Sequence, residues 1–179
     1  MKITLNLFSK KEKLFDQLYF EYSKRMFLLC LRYLKDERDA EEALNNGFLS
    51  VYKNLGKMNY KNQVSFEAWI KKIMVNESLM ILRGRKKTVF VSESKAIKES
   101  AESFEIDDDF SIEVYYEIIR KMPDGYRTVF NLYAIEGYDH KEISDMLKIS
   151  ENTSRSQLYH AREYLKKEIL KLRVYEKQL

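Results

Sequence analysis

Residues 139–167 read DHKEISDMLKISENTSRSQLYHAREYLKK, and this stretch carries the start and stop signals of two helices joined by a short turn. Asp139 is suited to cap the first helix, because Glu142 stands three residues on, where a capping-box acid returns the bond. Ser150 is suited to cap the second helix. Lys148 and Ile149 form the tight turn between them. The pattern predicts a helix-turn-helix.

The two faces of this predicted unit differ in chemistry. Apolar residues at helical spacing form the inward face, namely Ile143, Met146, Leu147, Leu158, Ala161 and Leu165. The outward face of the second helix has residue types that contact phosphates and base edges. A solvated helix face is the alternative reading of the same side chains, but caps, turn and apolar spacing agree with a DNA-reading helix. The predicted DNA contacts are Thr153, Arg155, Ser156, Tyr159, His160 and Arg162.

Three long helices are predicted in the first 87 residues. Their expected spans are 11–34, 37–55 and 66–83, with Asp36 and Ser65 as N-caps and Gly56 closing the second helix. Three- and four-residue spacing of apolar side chains gives each helix an inward face. For the first two helices these are Leu14, Leu18, Tyr22, Met26, Leu29 and Tyr33, then Ala40, Leu44, Phe48, Val51 and Leu55; for the third they are Phe66, Trp69, Ile70, Ile73 and Ile81.

Residues 88–111 interrupt the helical pattern with serines and the acidic run 107–109. Net charge is +8 over residues 1–87, −5 over 88–111 and +1 over 112–179. Such asymmetry favours a polyanionic partner that is contacted at separate places. We expect an all-α protein with a helical-bundle domain (1–87), an acidic linker (88–111) and a helix-turn-helix domain (112–179). In the last domain, a helix should end at Met122-Pro123 before a turn at Gly125, and another should span 126–136.

Several classes of protein are disfavoured. Cys30 is the only cysteine and lies in an apolar run, so we interpret it as a small buried hydrophobe. Neither a signal peptide nor an apolar run of membrane-spanning length is visible, so we expect a cytoplasmic protein without membrane insertion. A metal-ligand cluster, a phosphate loop and a nucleophile with a plausible base are also missing from the sequence. We expect no catalytic residue, no cofactor and no metal.

With these segments in view, the sequence resembles the extracytoplasmic-function sigma factors of bacterial RNA polymerase, which are the small two-domain members of the sigma-70 family. Three segments carry the resemblance in the right order. Residues 15–55 (FDQLYFEYSKRMFLLCLRYLKDERDAEEALNNGFLSVYKNL) resemble regions 2.1 and 2.2, and 66–87 (FEAWIKKIMVNESLMILRGRKK) resemble regions 2.3 and 2.4. Residues 122–167, from MPDGYRTVFNLY onward, resemble region 4.

The resemblance implies a role for each segment. Region 2.2 binds the clamp of the largest polymerase subunit, which here implicates Asp39, Glu42, Asn45, Asn46 and Phe48. The loop 57–64 would meet the melted −10 element, and the third helix with its basic end would contact DNA through Lys71, Lys72, Asn76, Arg83, Arg85, Lys86 and Lys87. Region 4 would read the −35 element as duplex through the outward residues named above.

Three positions depart from the family pattern in region 4. His160 and Gln157 stand where the family often has arginine, which weakens the expected phosphate grip. Lys148 stands where a turn glycine is common, and a positive φ there would cost a lysine on the order of 1 kcal/mol. The expected partners are core RNA polymerase (clamp and flap regions), promoter DNA and an anti-sigma factor. The alternatives are a stand-alone regulator that binds DNA as a dimer and, much less favoured, an enzyme.

Overall fold

The computed structural model describes residues 2–55, 63–85 and 110–176, and every regular element in these ranges is helical. The chain divides into two compact units, Met1–Arg85 and Lys86–Leu179. The all-α fold class is thereby confirmed. The exact linker bounds stay a prediction, because residues 86–109 lie outside the described ranges.

Unit 1 contains three helices that all pack against one another: α1 (Lys2–Leu34), α2 (Glu37–Asn54) and α3 (Gln63–Arg85). The predicted inward face of α1 is confirmed from Tyr22 to Tyr33, whereas Leu14 is 46% exposed. The core of the unit is made of large side chains from all three helices. Its most completely buried members include Tyr22, Met26, Tyr33, Leu34, Val51, Ile70, Met74, Leu79 and Leu82.

The junction between α1 and α2 is a sharp turn. Lys35 adopts a left-handed conformation (φ 64°), and Asp36 then caps α2 by accepting from the backbone amides of Arg38 (3.0 Å) and Asp39 (3.2 Å). Satisfying these first-turn donors is what a helix N-cap does, so the predicted cap at Asp36 is confirmed. The turn sends α2 back along α1, which brings the buried faces of both helices together.

Helix α3 differs from its prediction in two respects. It already includes Gln63, so the prediction that Ser65 caps it is wrong. Its buried residues are Ile70, Met74, Val75, Ser78, Leu79 and Leu82, whereas Phe66, Trp69, Ile73 and Ile81 are only half-buried. Apolar residues lie on most sides of this helix, so its own periodicity does not select one face. The predicted cap at Gly56 lies outside the described residues.

Unit 2 begins with α4 (Ile112–Lys121), which stops before Pro123, as predicted. Helix α5 (Asp124–Phe130) follows at once and includes Gly125, so the prediction of a turn at Gly125 is wrong. The corner is held by Arg127, whose fully buried guanidinium donates to the Met122 carbonyl (2.8 Å) and to Asp124 (2.8 Å). These charge-assisted bonds satisfy a cation that would be costly to bury alone.

A π-helical turn (Asn131–Ile135) continues α5 and is closed by the bond from the Glu136 amide to the Asn131 carbonyl (2.9 Å). Gly137 then takes φ +81°, a conformation that glycine adopts without steric cost, and the helix predicted over 126–136 ends before it. The chain proceeds into α6 (His140–Leu147) and α7 (Glu151–Glu176), which pack together and against α5 and its π-helical continuation.

Cys30 is fully buried, and burial raises the pKa of its thiol to about 11, which fits a packed hydrophobe. None of the helices in the described ranges is both long and apolar enough to cross a membrane. Within the same ranges, no group of three or more His, Cys, Asp or Glu side chains is arranged to hold a metal ion.

Candidate nucleic-acid interface

Helices α6 and α7 are joined by the turn that the sequence predicts. Both bonds of the capping box are present: the Glu142 amide donates to Asp139 (2.8 Å), and the Asp139 amide donates to Glu142 (2.9 Å). Lys148 ends α6 in the left-handed conformation (φ 57°, ψ 44°). The positive φ that would strain a lysine is therefore present at position 148. Glycine, which is common at this position in the family, adopts the same conformation without strain.

The first turn of α7 is capped by Ser150. Its hydroxyl oxygen accepts from the Thr153 backbone amide (3.0 Å) and lies 2.9 Å from the Thr153 hydroxyl. The predicted cap is confirmed, and Thr153 proves to be part of the cap as well as a half-exposed side chain of the helix start. The amides at the start of a helix lack partners within the helix, and a phosphate is favoured there.

The outward side of α7 presents Arg155, Ser156 and Tyr159 as half-exposed side chains. Arg155 forms an ion pair with Glu151 at 3.4 Å, and both groups are well exposed (40% and 47%). A pair of this kind contributes little to stability, so a stronger anionic partner could displace Glu151. Asn152, which is exposed in the same first turn, was missed by the sequence-based prediction although its amide suits base edges.

His160 and Gln157 lie differently from what their place in the motif implies. His160 stacks on Tyr126 (5.4 Å between ring centroids, 22° between planes) and meets the edge of Tyr159 (5.4 Å). The imidazole therefore belongs to an aromatic cluster that joins α7 to α5. Gln157 is only 9% exposed, so its side chain lies inside the unit rather than on the outward face.

Arg162 belongs to a second aromatic cluster. Its guanidinium lies over the Tyr133 ring at 5.9 Å from the centroid, and Tyr133 stacks on His140 at 4.6 Å. His140 in turn lies 2.8 Å from the Ser154 hydroxyl through Nδ1, and both are buried. His140, Tyr133 and Ser154 were not predicted to take part in the site, because no local pattern links three residues on separate elements.

The cations predicted along α3 divide into two groups. Lys72, Asn76 and Arg83 are exposed, and their spacing of four and seven residues puts them on one side of the helix. Lys71 instead bonds Glu67 (3.1 Å), which also pairs with Arg25 (2.6 Å). The hydrogen bond from Lys71 and the charges of Lys71 and Arg25 lower the pKa of Glu67. The Arg85 side chain, Lys86 and Lys87 lie outside the described residues.

The polar side of α2 is a separate exposed surface. Glu42, Asn45 and Asn46 are exposed and Asp39 is half-buried, while Phe48 is 2% exposed. The expectation that Phe48 contacts a partner directly is therefore wrong, because its ring packs inside unit 1 against Phe15 and Tyr19. Leu49, which is 50% exposed and lies one turn beyond Asn45 and Asn46, was not among the predicted contacts. An exposed leucine within a polar face is a signal that favours contact with a partner.

Unit 2 also has an open groove of about 970 Å³ beside the second half of α7. Its apolar walls come from Tyr126, Tyr164, Leu170 and Val174, and its rim includes Lys166, Lys167 and Lys171. Leu170 and Val174, one turn apart on α7, are 51% and 56% exposed and together form an exposed apolar patch. Exposed apolar surface with a polar rim is typical of a protein-binding site.

Comparison with known proteins agrees with this geometry. The family model of "Sigma-70 region 2" matches residues 18–88, and that of "Sigma-70, region 4" matches residues 112–165. The RNA polymerase sigma-H factor of Pseudomonas aeruginosa is 25% identical over 87% of this chain and 86% of its own length. The extracytoplasmic-function sigma factor SigM of Bacillus subtilis is 27% identical over 84% of this chain and 92% of its own length.

The chain belongs to the extracytoplasmic-function group of the sigma-70 family. Sigma factors are non-enzymatic promoter-specificity subunits of RNA polymerase, and their regions 2 and 4 recognise the −10 and −35 elements. The fold is also that of a solved sigma factor, RpoE of Bartonella quintana in complex with the anti-sigma factor NepR, with a TM-score of 0.50 and 16% identity over 89% of this chain and 98% of that one. Membership of this family favours a sigma factor over the alternatives of a stand-alone regulator and an enzyme.

Proposed function

We propose that this sigma-70 family chain uses the outward side of α7 to read the −35 element as duplex DNA. The observation that carries the proposal is the completely capped helix-turn-helix, whose second helix exposes Asn152, Arg155, Ser156 and Tyr159 together. Two caps and a fixed turn hold the backbone of this helix, so its outward side chains would enter a major groove from an ordered helix. Each base pair read in this way contributes about 1–3 kcal/mol of discrimination.

In unit 1, the proposed −10 and melting surface is the exposed side of α3 with Lys72, Asn76 and Arg83. Half-buried Phe66 and Trp69, whose rings lie 5.8 Å apart, add aromatic surface at the start of the same helix. Cations and aromatic rings together are what single-stranded bases favour. Lys71 contributes less in this proposal, because its ammonium is already paired with Glu67.

Core RNA polymerase would bind two surfaces. The first is the polar side of α2, with Glu42, Asn45, Asn46 and the exposed Leu49, which would meet the clamp. The second is the groove of unit 2, whose apolar walls and lysine rim suit a segment of the flap with an apolar face. Binding would take place in the cytoplasm, where an anti-sigma factor is the further expected partner; co-purification from cells tests that expectation.

One pair of variants separates the two activities. Arg155→Ala should impair recognition of the −35 element and leave affinity for core polymerase intact, because Arg155 lies half-exposed on the outward side of α7, away from the proposed polymerase surfaces. Glu42→Lys should do the opposite. Lys121→Ala and Glu12→Lys are matched controls, since both residues are exposed on helices outside the proposed surfaces.

Both effects are measured by core-binding titration and by promoter-directed transcription from a library of promoters. Loss of core binding by Arg155→Ala contradicts the assignment of α7, and normal core affinity of Glu42→Lys contradicts that of α2. The proposal as a whole fails if the folded wild-type protein with core polymerase yields no promoter-specific transcript.

A further inference from the structure

Two arginines and a tyrosine follow one another along α7 at helical spacing. Arg155, Tyr159 and Arg162 are separated by four and three residues, so they lie on one side of the helix. All three are half-exposed, and Arg155 and Tyr159 belong to the proposed DNA surface. Arg162 therefore lies at the edge of that surface, where it would reach the phosphate backbone beside the bases read by the first turns of α7.

In the part of the chain that the structure describes, the guanidinium of Arg162 is held by an aromatic ring rather than by a carboxylate, and it lies 5.9 Å from the centroid of Tyr133. A cation over an aromatic face within about 6 Å is attracted by the ring quadrupole. This contact restricts a long side chain without neutralising its charge. An acidic partner would hold the arginine equally well but would compete with a phosphate.

Tyr133 is itself fixed from two directions. It belongs to the π-helical turn Asn131–Ile135, in which one extra residue per turn changes the direction of the side chains that follow α5. Its ring also stacks on His140 at 4.6 Å with 22° between the planes. Single π-helical turns within α-helices are often found at functional sites, which agrees with a role for this one.

His140 links the ring to the start of α7. It is 8% exposed, begins α6, and lies 2.8 Å through Nδ1 from the hydroxyl of the fully buried Ser154. Ser154 directly precedes Arg155. The chain of contacts Arg162–Tyr133–His140–Ser154 therefore starts and ends on α7 and passes through the two preceding elements.

We propose that Tyr133, held by the π-helical turn and by His140, is a positioning residue that orders Arg162 for contact with the DNA backbone. This inference rests on the proposed function of α7 and extends it to residues that do not touch DNA. Ordering a flexible cation before binding lowers the entropy that must be lost on binding, so the benefit is a gain in affinity without a new contact.

The test uses full-length protein with core polymerase and a labelled duplex promoter that the wild-type holoenzyme selects from a random library. Tyr133→Leu, which removes the ring, should weaken promoter binding about two- to fivefold, the range of an exposed cation–π contact. Tyr133→Phe keeps the ring and should bind like the wild type. Tyr116→Leu, an exposed tyrosine of α4, is the matched control and should have no effect.

A double-mutant cycle distinguishes positioning from general support of the fold. In the Arg162→Ala background, Tyr133→Leu should have no further effect on affinity. Arg162→Ala alone should reduce the slope of log affinity against log salt by about one phosphate contact. Tyr133→Leu should lower affinity and leave that slope unchanged, because the cation is still present.

Each other result overturns the inference. If Tyr133→Leu lowers the affinity for promoter DNA equally in the wild-type and Arg162→Ala backgrounds, the ring has a structural role only. The same follows if Tyr133→Phe lowers this affinity as much as Tyr133→Leu does. Full affinity of Tyr133→Leu would show that the ring is dispensable. Normal binding by Arg162→Ala with impaired binding by Arg155→Ala would refute the inference and leave the proposed function standing. Normal binding by both variants would refute both.

Discussion

Gly47 lies in the middle of α2, where this helix approaches α3 closely. A Cβ atom at this position would overlap the sulfur of Met74, and it would lie 2.8 Å from the Met74 Cε and 3.6 Å from Ile73 Cγ2. Met74 is completely buried, so its side chain can make room for a Cβ only by shifting within the core. We therefore expect Gly47→Ala to destabilise unit 1, although alanine is the better helix former.

Two opposing effects decide the magnitude. Replacing a mid-helix glycine by alanine stabilises by roughly 0.5–1 kcal/mol through helix propensity. Inserting a carbon into a packed core costs typically about 1–3 kcal/mol. The overlap affects the end of a flexible methionine, so a cost near the middle of that range is expected. The net result is a loss of about 1 kcal/mol in the free energy of unfolding.

Gly84→Ala is the matched control, because Gly84 is also helical and a Cβ there meets nothing within 4 Å. It should raise stability by a few tenths of a kcal/mol to about 1 kcal/mol. Trp69 is the only tryptophan and lies in α3, so its fluorescence during urea unfolding follows unit 1 selectively. The free energy of unfolding should thus fall with Gly47→Ala and rise with Gly84→Ala, although the two substitutions are chemically identical.

A second variant tests the cause. Met74→Leu shortens the side chain that a Cβ at position 47 would meet, so Gly47→Ala should cost less in that background. Stabilisation by Gly47→Ala comparable to that of Gly84→Ala would refute the close approach of α2 and α3. An identical cost of Gly47→Ala in the wild-type and Met74→Leu backgrounds would refute the role of the methionine.

Two further predictions concern unit 2. Lys148→Gly should raise its stability by up to about 1 kcal/mol, because glycine removes the strain at φ 57°; slower hydrogen exchange of the α6 and α7 amides would show this, and faster exchange would contradict it. Gln157→Leu should also stabilise, by roughly 1 kcal/mol, because the buried Gln157 Oε1 has no hydrogen-bond partner within the described structure. Calorimetric unfolding measures the gain in stability. A promoter-binding assay of the same variant should show unchanged affinity, and weaker binding would show that Gln157 contacts DNA.

The helix-turn-helix could be predicted from the sequence because its signals act over short distances. Asp139 and Glu142 satisfy each other's backbone amides, and Ser150 caps the helix that starts directly after it. These bonds span three residues, so the chain needs no distant partner to form them. The same holds for Asp36 at α2. It also holds for Gly137, because glycine tolerates a positive φ without help from distant residues.

The wrong predictions concern side chains whose direction depends on another element. For α3, apolar residues spread around the helix gave no preferred face, and contact with α1 and α2 selected Met74, Leu79 and Leu82 rather than Phe66 and Trp69. The sequence placed Phe48 both in the core and on a partner surface. In the structure its ring packs against Phe15 of α1, so it belongs to the core.

What the sequence by itself determined is therefore the order of helices, the caps at Asp36, Asp139 and Ser150, and the residue types of the proposed DNA-reading face. Only the tertiary structure decided that Gln157 turns inward, that His160 joins Tyr126, and that Arg162 rests on a tyrosine from a π-helical turn. The physical reason is that helical periodicity fixes the angles between side chains on one helix, whereas the direction in which that helix points its faces is set by the helices packed against it.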